Sequence, residues 1–300
     1  MNDQAERLRE IALSVKQQIE SEIRQELKVT RVIVVSSGKG GVGKSTLALN
    51  VSINLCMRGQ RVLLMDADMG MANIDIMLGL VPKYNIQHVV QGNKSLKDVI
   101  IEGPEGLSII PGSSGMVELA NLSSSELQKI MIELGKLDGE YDYLVIDTGA
   151  GISRNVLTFL LAADDVVIIT TPEPPALTDA YGVVKAIARE SAGKNLYLVV
   201  NRVNDNAEGI MVGDKFRLVC SKFLNLDMKI LGHVVNDPLV GEGIRSQQAF
   251  SRMFPYNVAA KNINDIAGNL ISANPRTGIP SESSSGGIRK FFRKIVDLVK

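Results

Sequence analysis

Between Arg31 and Asp237 the chain repeats one pattern: a short, nearly unbroken apolar run, a polar or glycine break, then apolar residues at helical spacing. The runs are RVIVVSS, RVLLMDAD, GLSIIPG, YDYLVIDTG, DVVIITTPE, NLYLVVNR and MKILGHVVND. Stretches such as KSTLALNVSINLCMRG and SSSELQKIMIELGKL carry the helical pattern between them. Strands this apolar are buried on both faces, so the pattern predicts an α/β fold: a doubly wound, mostly parallel sheet with helices on both sides. Ligands gather at the carboxyl ends of the strands in such sheets.

The two ends of the chain read differently. Residues 1–28 are polar, with Leu8, Ile11, Val15, Ile19, Ile23 and Leu27 forming a narrow helical stripe that packs along one edge. The α/β domain covers 29–273. The Pro-, Ser- and Gly-rich stretch 274–287 predicts a flexible linker. Residues 288–300 form a short amphipathic helix, with Ile288, Phe291, Phe292, Ile295 and Val299 on one face. Arg289, Lys290, Arg293, Lys294 and Lys300 against Asp297 leave 5 − 1 = +4 on this tail. A basic amphipathic helix suits an anionic membrane surface; an apolar face of that kind also suits docking onto the domain.

Composition adds exclusions. Hydrophobic residues make up 45% and charged residues 22%, as in a globular protein. The 33 basic and 33 acidic residues cancel, so DNA binding is not expected and any anionic surface must be met by a local patch. Cys56 and Cys220 are far apart in sequence, which argues against a disulfide framework or a thiolate metal site and fits a reducing cytoplasm. The charged start MNDQAERLRE resembles neither a leader nor a membrane span. The expected location is cytoplasmic, with reversible peripheral attachment to the inner face of the cell membrane.

The segment GKGGVGKS, Gly38–Ser45, matches G-x-x-x-x-G-K-[ST] between a predicted strand and a predicted helix. Gly38, Gly40, Gly41, Val42 and Gly43 let backbone N–H groups curl around phosphates, and the following helix start, with Thr46, adds positive potential. Lys44 reaches the outer phosphates, and Ser45 is the expected magnesium ligand. Asp147 ends the run YLVID and is the matching acid, holding Mg²⁺ through water. Asp66 lies at the expected strand end within RVLLMDAD, pointing to the same magnesium region. Asp68, two residues on, either orients an attacking water or caps a turn. The expected ligands are ATP or ADP with Mg²⁺, and the expected activity is ATP hydrolysis.

KGGVGKST, DADMG and DTGAG, in this order, resemble the MinD/ParA family of deviant Walker A P-loop ATPases, over about residues 30–272. The resemblance implies that the additional lysine, Lys39, crosses to the phosphates of a partner subunit in an ATP-dependent homodimer. Charge counting gives a reason. Two buried ATP molecules bring about −8, two Mg²⁺ about +4 and two copies of Lys44 about +2, so two copies of Lys39 bring the set near neutrality. The resemblance further implies that Asn201 and Pro238 border the adenine and that Thr148, Gly149 and Gly151 form a nucleotide-responsive loop (switch II). Arg202 either stacks there or faces solvent.

Within the family, absence of paired cysteines separates the chain from iron–sulfur carriers and the nitrogenase iron protein, and absence of a terminal tyrosine cluster from tyrosine kinases of this fold. DQAERLR near the start, DADMGMANIDIMLG and DTGAGIS resemble the flagellar-number (FlhG-type) branch. This implies that Asp3, Gln4, Leu8 and Arg9 act on the GTPase FlhF, that flagellar C-ring proteins are partners, and that slow hydrolysis resets the dimer to a monomer. A MinD-like or ParA-like positioning ATPase is the alternative inside the family. An ATP-dependent metabolic ligase of the same fold is the alternative outside that role, and it has no use for a membrane tail.

Overall fold

A computed structural model describes residues 29–68, 73–112, 124–191, 193–273 and 287–299. The strands are β1 (Arg31–Ser37), β2 (Val62–Ala67), β3 (Ile101–Glu102), β4 (Ser108–Ile110), β5 (Tyr143–Thr148), β6 (Asp165–Thr170), β7 (Asn195–Val203) and β8 (Lys229–Val235). They form one sheet in the order β3-β4-β2-β5-β1-β6-β7-β8. Every pairing is parallel except β3 with β4. The helices are α1 (Lys44–Met57), α2 (Ile74–Met77), α3 (Ile86–Val90), α4 (Leu96–Val99), α5 (Ser124–Lys136) and α6 (Arg154–Ala162). They continue with α7 (Pro174–Glu190), α8 (Asn206–Leu224), α9 (Pro238–Arg245), α10 (Phe250–Met253), α11 (Val258–Ser272) and α12 (Ile288–Val299).

Strand alternation explains how the same apolar runs serve two cores. Val32, Val34, Leu63, Met65, Leu144 and Ile146 face α5–α8, while Ile33, Val35, Val62, Leu64, Tyr143 and Val145 face α1, α10 and α11. The sheet is thus covered on both sides, as the unbroken runs predict. At the amino ends of the strands, buried Arg31 pairs with Asp165 and donates to the Tyr197 hydroxyl at 3.3 Å. This places a charged staple at the end remote from the P-loop.

Two features depart from the expected pattern. The antiparallel edge strand β3 has only two residues, too few for any periodicity to show. The tail helix α12 lies on the domain, against α5 and α6, rather than apart from it. Ile288, Phe291 and Phe292 are buried, and the Phe291 ring centroid is 5.8 Å from that of Phe159 on α6. Ile295 packs at the edge of the same core, and the Val299 side chain lies outside the described residues. Arg289 Nε donates to the Gly135 carbonyl at 2.8 Å. The face expected to meet lipid is therefore covered by protein in this conformation. The physical reason is that an apolar helix face fits a groove in a core as well as it fits acyl chains. Residues 1–28 and 274–286 lie outside the described residues, as do Asp3, Gln4, Leu8 and Arg9. Among the described residues, no helix is long and apolar enough to cross a membrane.

Candidate nucleotide-binding site

The P-loop follows β1, and Asp147 and Asp66 are the next-to-last residues of β5 and β2; they meet because these three strands are neighbours in parallel register. Val35 pairs with Asp147, and Asp66 pairs with Asp147 from the other side. Motifs about a hundred residues apart in sequence meet at one carboxyl edge. Gly41 and Gly43 take φ of +79° and +94°, backbone that side-chain-bearing residues rarely adopt. A Cβ at Gly38 would lie 2.1 Å from the Asp179 backbone in the second turn of α7, so the loop is pressed against that helix.

Lys44 is buried and its Nζ donates to Asp147 Oδ1 at 2.6 Å, with Asp68 Oδ2 4.0 Å away. Burial pushes the Asp147 carboxyl up, and the Lys44 ammonium and Ser45 hydroxyl oppose that shift. The other oxygen, Asp147 Oδ2, is buried without a hydrogen-bond partner. An orphaned carboxylate oxygen beside a serine hydroxyl is an apt donor set for a hard cation. Mg²⁺ takes one or two protein oxygens of this kind together with phosphate oxygens and water. Among the described residues no cluster of three acidic, His or Cys side chains gathers to hold a metal alone. Asp147 and Ser45 therefore fit Mg²⁺ as part of a nucleotide complex.

Asp66 is spent otherwise than expected. Its Oδ1 accepts from the Asp68 N–H at 3.1 Å, and its Oδ2 from the Asn73 and Ile74 N–H groups at 2.8 and 3.1 Å. Burial raises its pKa to about 6, against the pull of those donors. Three amides on two oxygens make Asp66 the organiser of the loop that carries Asp68, and not an open magnesium ligand. A Cβ at Gly112 would come within 2.5 Å of its carboxyl carbon, so only glycine fits there. Asp68 lies beside Lys44 at the mouth of the site, and a Cβ on Gly149 would be 3.6 Å from its Oδ1.

The loop after β5 is tied to the root of the P-loop. Thr148 Oγ1 donates to the Val35 carbonyl at 3.0 Å, and the Gly151 N–H to the Ser37 carbonyl at 2.8 Å. Gly151 has φ +90°, which only glycine adopts easily. Lys39 points away from this interior: its Nζ is 3.7 Å from Glu173 Oε2, and both side chains are largely exposed.

A second concavity lies between the P-loop and the β8–α9 junction, lined by Gly43, Thr46, Asn201, Arg202, Asp237 and Val240 among others. Asn201 Nδ2 donates to the Val42 carbonyl at 2.7 Å, which fixes its carboxamide and leaves Oδ1 to accept from an exocyclic amine. Pro238 opens α9 but does not itself line the concavity; its neighbours Asp237 and Val240 make the wall there. Arg202, at φ +58°, lines the concavity and is also exposed to solvent, so both readings stay open. Sequence reasoning missed Asp237; its only signal was a polar residue before a proline at a strand end. Its carboxylate accepts from the Leu239 N–H at 2.9 Å and from Asn257 Nδ2 at 2.8 Å, and so shapes the pocket wall.

A family model described as an AAA domain matches residues 30–198. The chain is 36% identical to the flagellum site-determining protein YlxH of Helicobacter pylori, over 89% of this chain and 90% of that protein. It is 34% identical to the antiactivator FleN of Pseudomonas aeruginosa, over 82% of this chain and 89% of that one. Among solved structures it superposes on the septum site-determining protein MinD of Pyrococcus horikoshii complexed with Mg-ADP, with a TM-score of 0.65 and 25% identity. That match covers 84% of this chain and 99% of the other. The MinC:MinD complex of Aquifex aeolicus gives a TM-score of 0.65 and 26% identity, over 83% and 99% of the two chains.

Proposed function

Because the chain belongs to the YlxH/FleN flagellum site-determining branch of the MinD/ParA family of P-loop ATPases, we propose that it is an ATP-driven dimerisation switch that sets flagellar number and placement. The observation that carries the switch is the position of Lys39. It stands on the rim, held by one solvent-exposed ion pair to Glu173, while Lys44 occupies the interior. Exposed pairs of this kind are worth about 0–1 kcal/mol, so Lys39 exchanges Glu173 for the phosphates of a second subunit at little cost.

In the monomer Lys44 neutralises Asp147. With triphosphate present, Lys44 would turn to the outer phosphates, and Ser45, with Asp147 acting through water, would hold the cation that offsets phosphate charge. Asp68 orients the attacking water from a loop that Asp66 keeps in place. The resulting hydrolysis is slow and resets the dimer to monomer. The tail helix leaves its groove in the ATP dimer, and two tails on one dimer bind an anionic membrane with avidity that a single short helix lacks. Residues 1–28, through Asp3, Gln4, Leu8 and Arg9, act on FlhF, and C-ring proteins are the flagellar partners.

Light scattering and liposome flotation on one set of samples test this reading. With a slowly hydrolysed ATP analogue the wild-type protein dimerises and floats, and with ADP it does neither. Lys39→Ala retains nucleotide binding yet stays monomeric and unbound. A Lys39→Ala protein that dimerises and floats like wild type refutes the switch.

A further inference from the structure

Two carboxylates at the amino edge of the sheet each hold both ends of the chain. Asp138, just after α5, accepts the Thr30 N–H on Oδ1 at 3.1 Å and approaches the Arg289 N–H with Oδ2 at 3.4 Å. Asp164, just before β6, accepts the Val32 N–H on Oδ2 at 3.0 Å and also bonds the Gly287 backbone amide. Thr30 and Val32 are where the N-terminal segment enters β1. Gly287 and Arg289 lie at the first turn of α12. The free N–H groups of a helix start are natural partners for carboxylates, and here both carboxylates are shared with the root of the opposite chain end.

The fit at Gly287 is close. Its φ is +110°, and a Cβ there would lie 2.6 Å from Asp138 Oδ2 and 2.6 Å from Val29 Cγ1. The start of α12 thus touches Val29 itself. Thr30 is fixed from its other side too: its Oγ1 donates to the Tyr141 carbonyl at 2.9 Å and accepts from the Gly139 N–H at 2.9 Å. The contact is a four-part clasp of Val29–Thr30, Asp138, Asp164 and Gly287.

We propose that this clasp couples the two chain ends, so that undocking α12 loosens the Val29–Val32 root and tension on the root favours undocking. Both effects share Asp138 and Asp164, and linkage makes them reciprocal. A macromolecule whose grip on residues 1–28 strains the Val29–Val32 root therefore biases the tail toward release even though it never touches α12. The inference rests on the docked geometry alone and stands whether or not the tail meets lipid or the N-terminal segment meets a GTPase.

Hydrogen exchange resolved to single amides on the full-length protein tests it without any ligand. Gly287→Ala breaks the clasp from the tail side, and Phe292→Ser releases the helix by removing buried apolar surface while leaving the clasp residues intact. In both variants exchange of residues 289–298 rises, and the Thr30 and Val32 amides exchange at least about fivefold faster, the lower end of ordinary coupling. The Val34 and Ile146 amides in mid-sheet stay protected, which excludes general unfolding. Two results overturn the proposal. One is a released α12 with Thr30 and Val32 unchanged. The other is a Gly287→Ala protein whose α12 stays as protected as in wild type.

Discussion

The Phe159–Phe291 contact allows the tail groove to be opened without altering the tail. Phe159 is 8% exposed on α6, with its ring tilted 52° to that of Phe291 at 5.8 Å. Truncating a buried phenylalanine costs about 3–5 kcal/mol overall, most of it borne by the domain. The share that belongs to the helix is the ring–ring contact, about 0.5–1.5 kcal/mol, plus the face of Phe291 left against a void. Taken together as roughly 2 kcal/mol, this shifts the docked-to-undocked ratio of Phe159→Ala by roughly 30-fold. The tail keeps all its own residues. Two measurements on the ADP-bound protein separate cause from consequence. Hydrogen exchange over residues 289–298 reports release, and flotation with phosphatidylglycerol vesicles reports what the released face binds. Phe159→Ala is expected to raise both. Unchanged exchange in a folded variant refutes the groove energetics. A single released tail binds only marginally, so raised exchange with no flotation refutes the membrane as the tail's alternative partner when the variant's ATP-analogue dimer, with two tails, does not float either.

Two further outcomes follow from the site and its surroundings. Asp68→Asn is expected to bind ATP normally, slow hydrolysis by 10²-fold or more and accumulate as dimer; hydrolysis at the wild-type rate would leave Asp68 as a turn residue. Lys194 is pushed down to about 8 by burial and by Lys294 and Lys290 of the tail, so when α12 leaves, its pKa rises toward the ordinary lysine value. The docked form then binds fewer protons across that window, and docking tightens as pH rises from about 8 toward 10.5. Lys194→Gln removes the cost of a charged, part-buried lysine, so it docks more firmly at neutral pH and loses that pH slope; exchange of residues 289–298 across pH, corrected for intrinsic rates, checks both.

What the sequence makes legible is what sits at strand ends or within one loop. Gly38–Ser45, Asp68 and Asp147 are readable because a parallel sheet brings strand termini together by topology alone. Strand β3 is not readable, since two residues at Ile101–Glu102 carry no period. The role of Asp66 was hidden for a different reason. Its strand-end position suggests a metal, but its donors come from the Asn73 and Ile74 amides, whose direction depends on how the loop closes. Lys39 and Glu173 are 134 positions apart and meet only once β1 and β6 pair. The tail shows the deepest limit. Ile288, Phe291, Phe292 and Ile295 define an apolar face unambiguously, yet periodicity does not distinguish a lipid partner from a protein groove.

The nucleotide loop and the tail groove are joined by one short helix. Gly151 is bonded to the P-loop root, Ser153 caps α6 by accepting from the Val156 N–H, and Phe159 on the same helix meets Phe291. Nine residues at 1.5 Å each make α6 about 13 Å long, short enough to move as one body. If ATP-driven dimerisation releases the tail, release must in turn favour dimerisation by the same factor, because linkage between binding equilibria is reciprocal. Phe159→Ala, which weakens docking by roughly 30-fold, is then expected to tighten the ATP-dependent dimer by up to that factor per subunit, although Phe159 lies outside the nucleotide site. Titrating protein at saturating ATP analogue and following light scattering gives the dimer dissociation constant for both proteins. A variant with a demonstrably freed tail and a wild-type dimer constant would show that the two events are independent, and ATP could not then control the tail through the dimer.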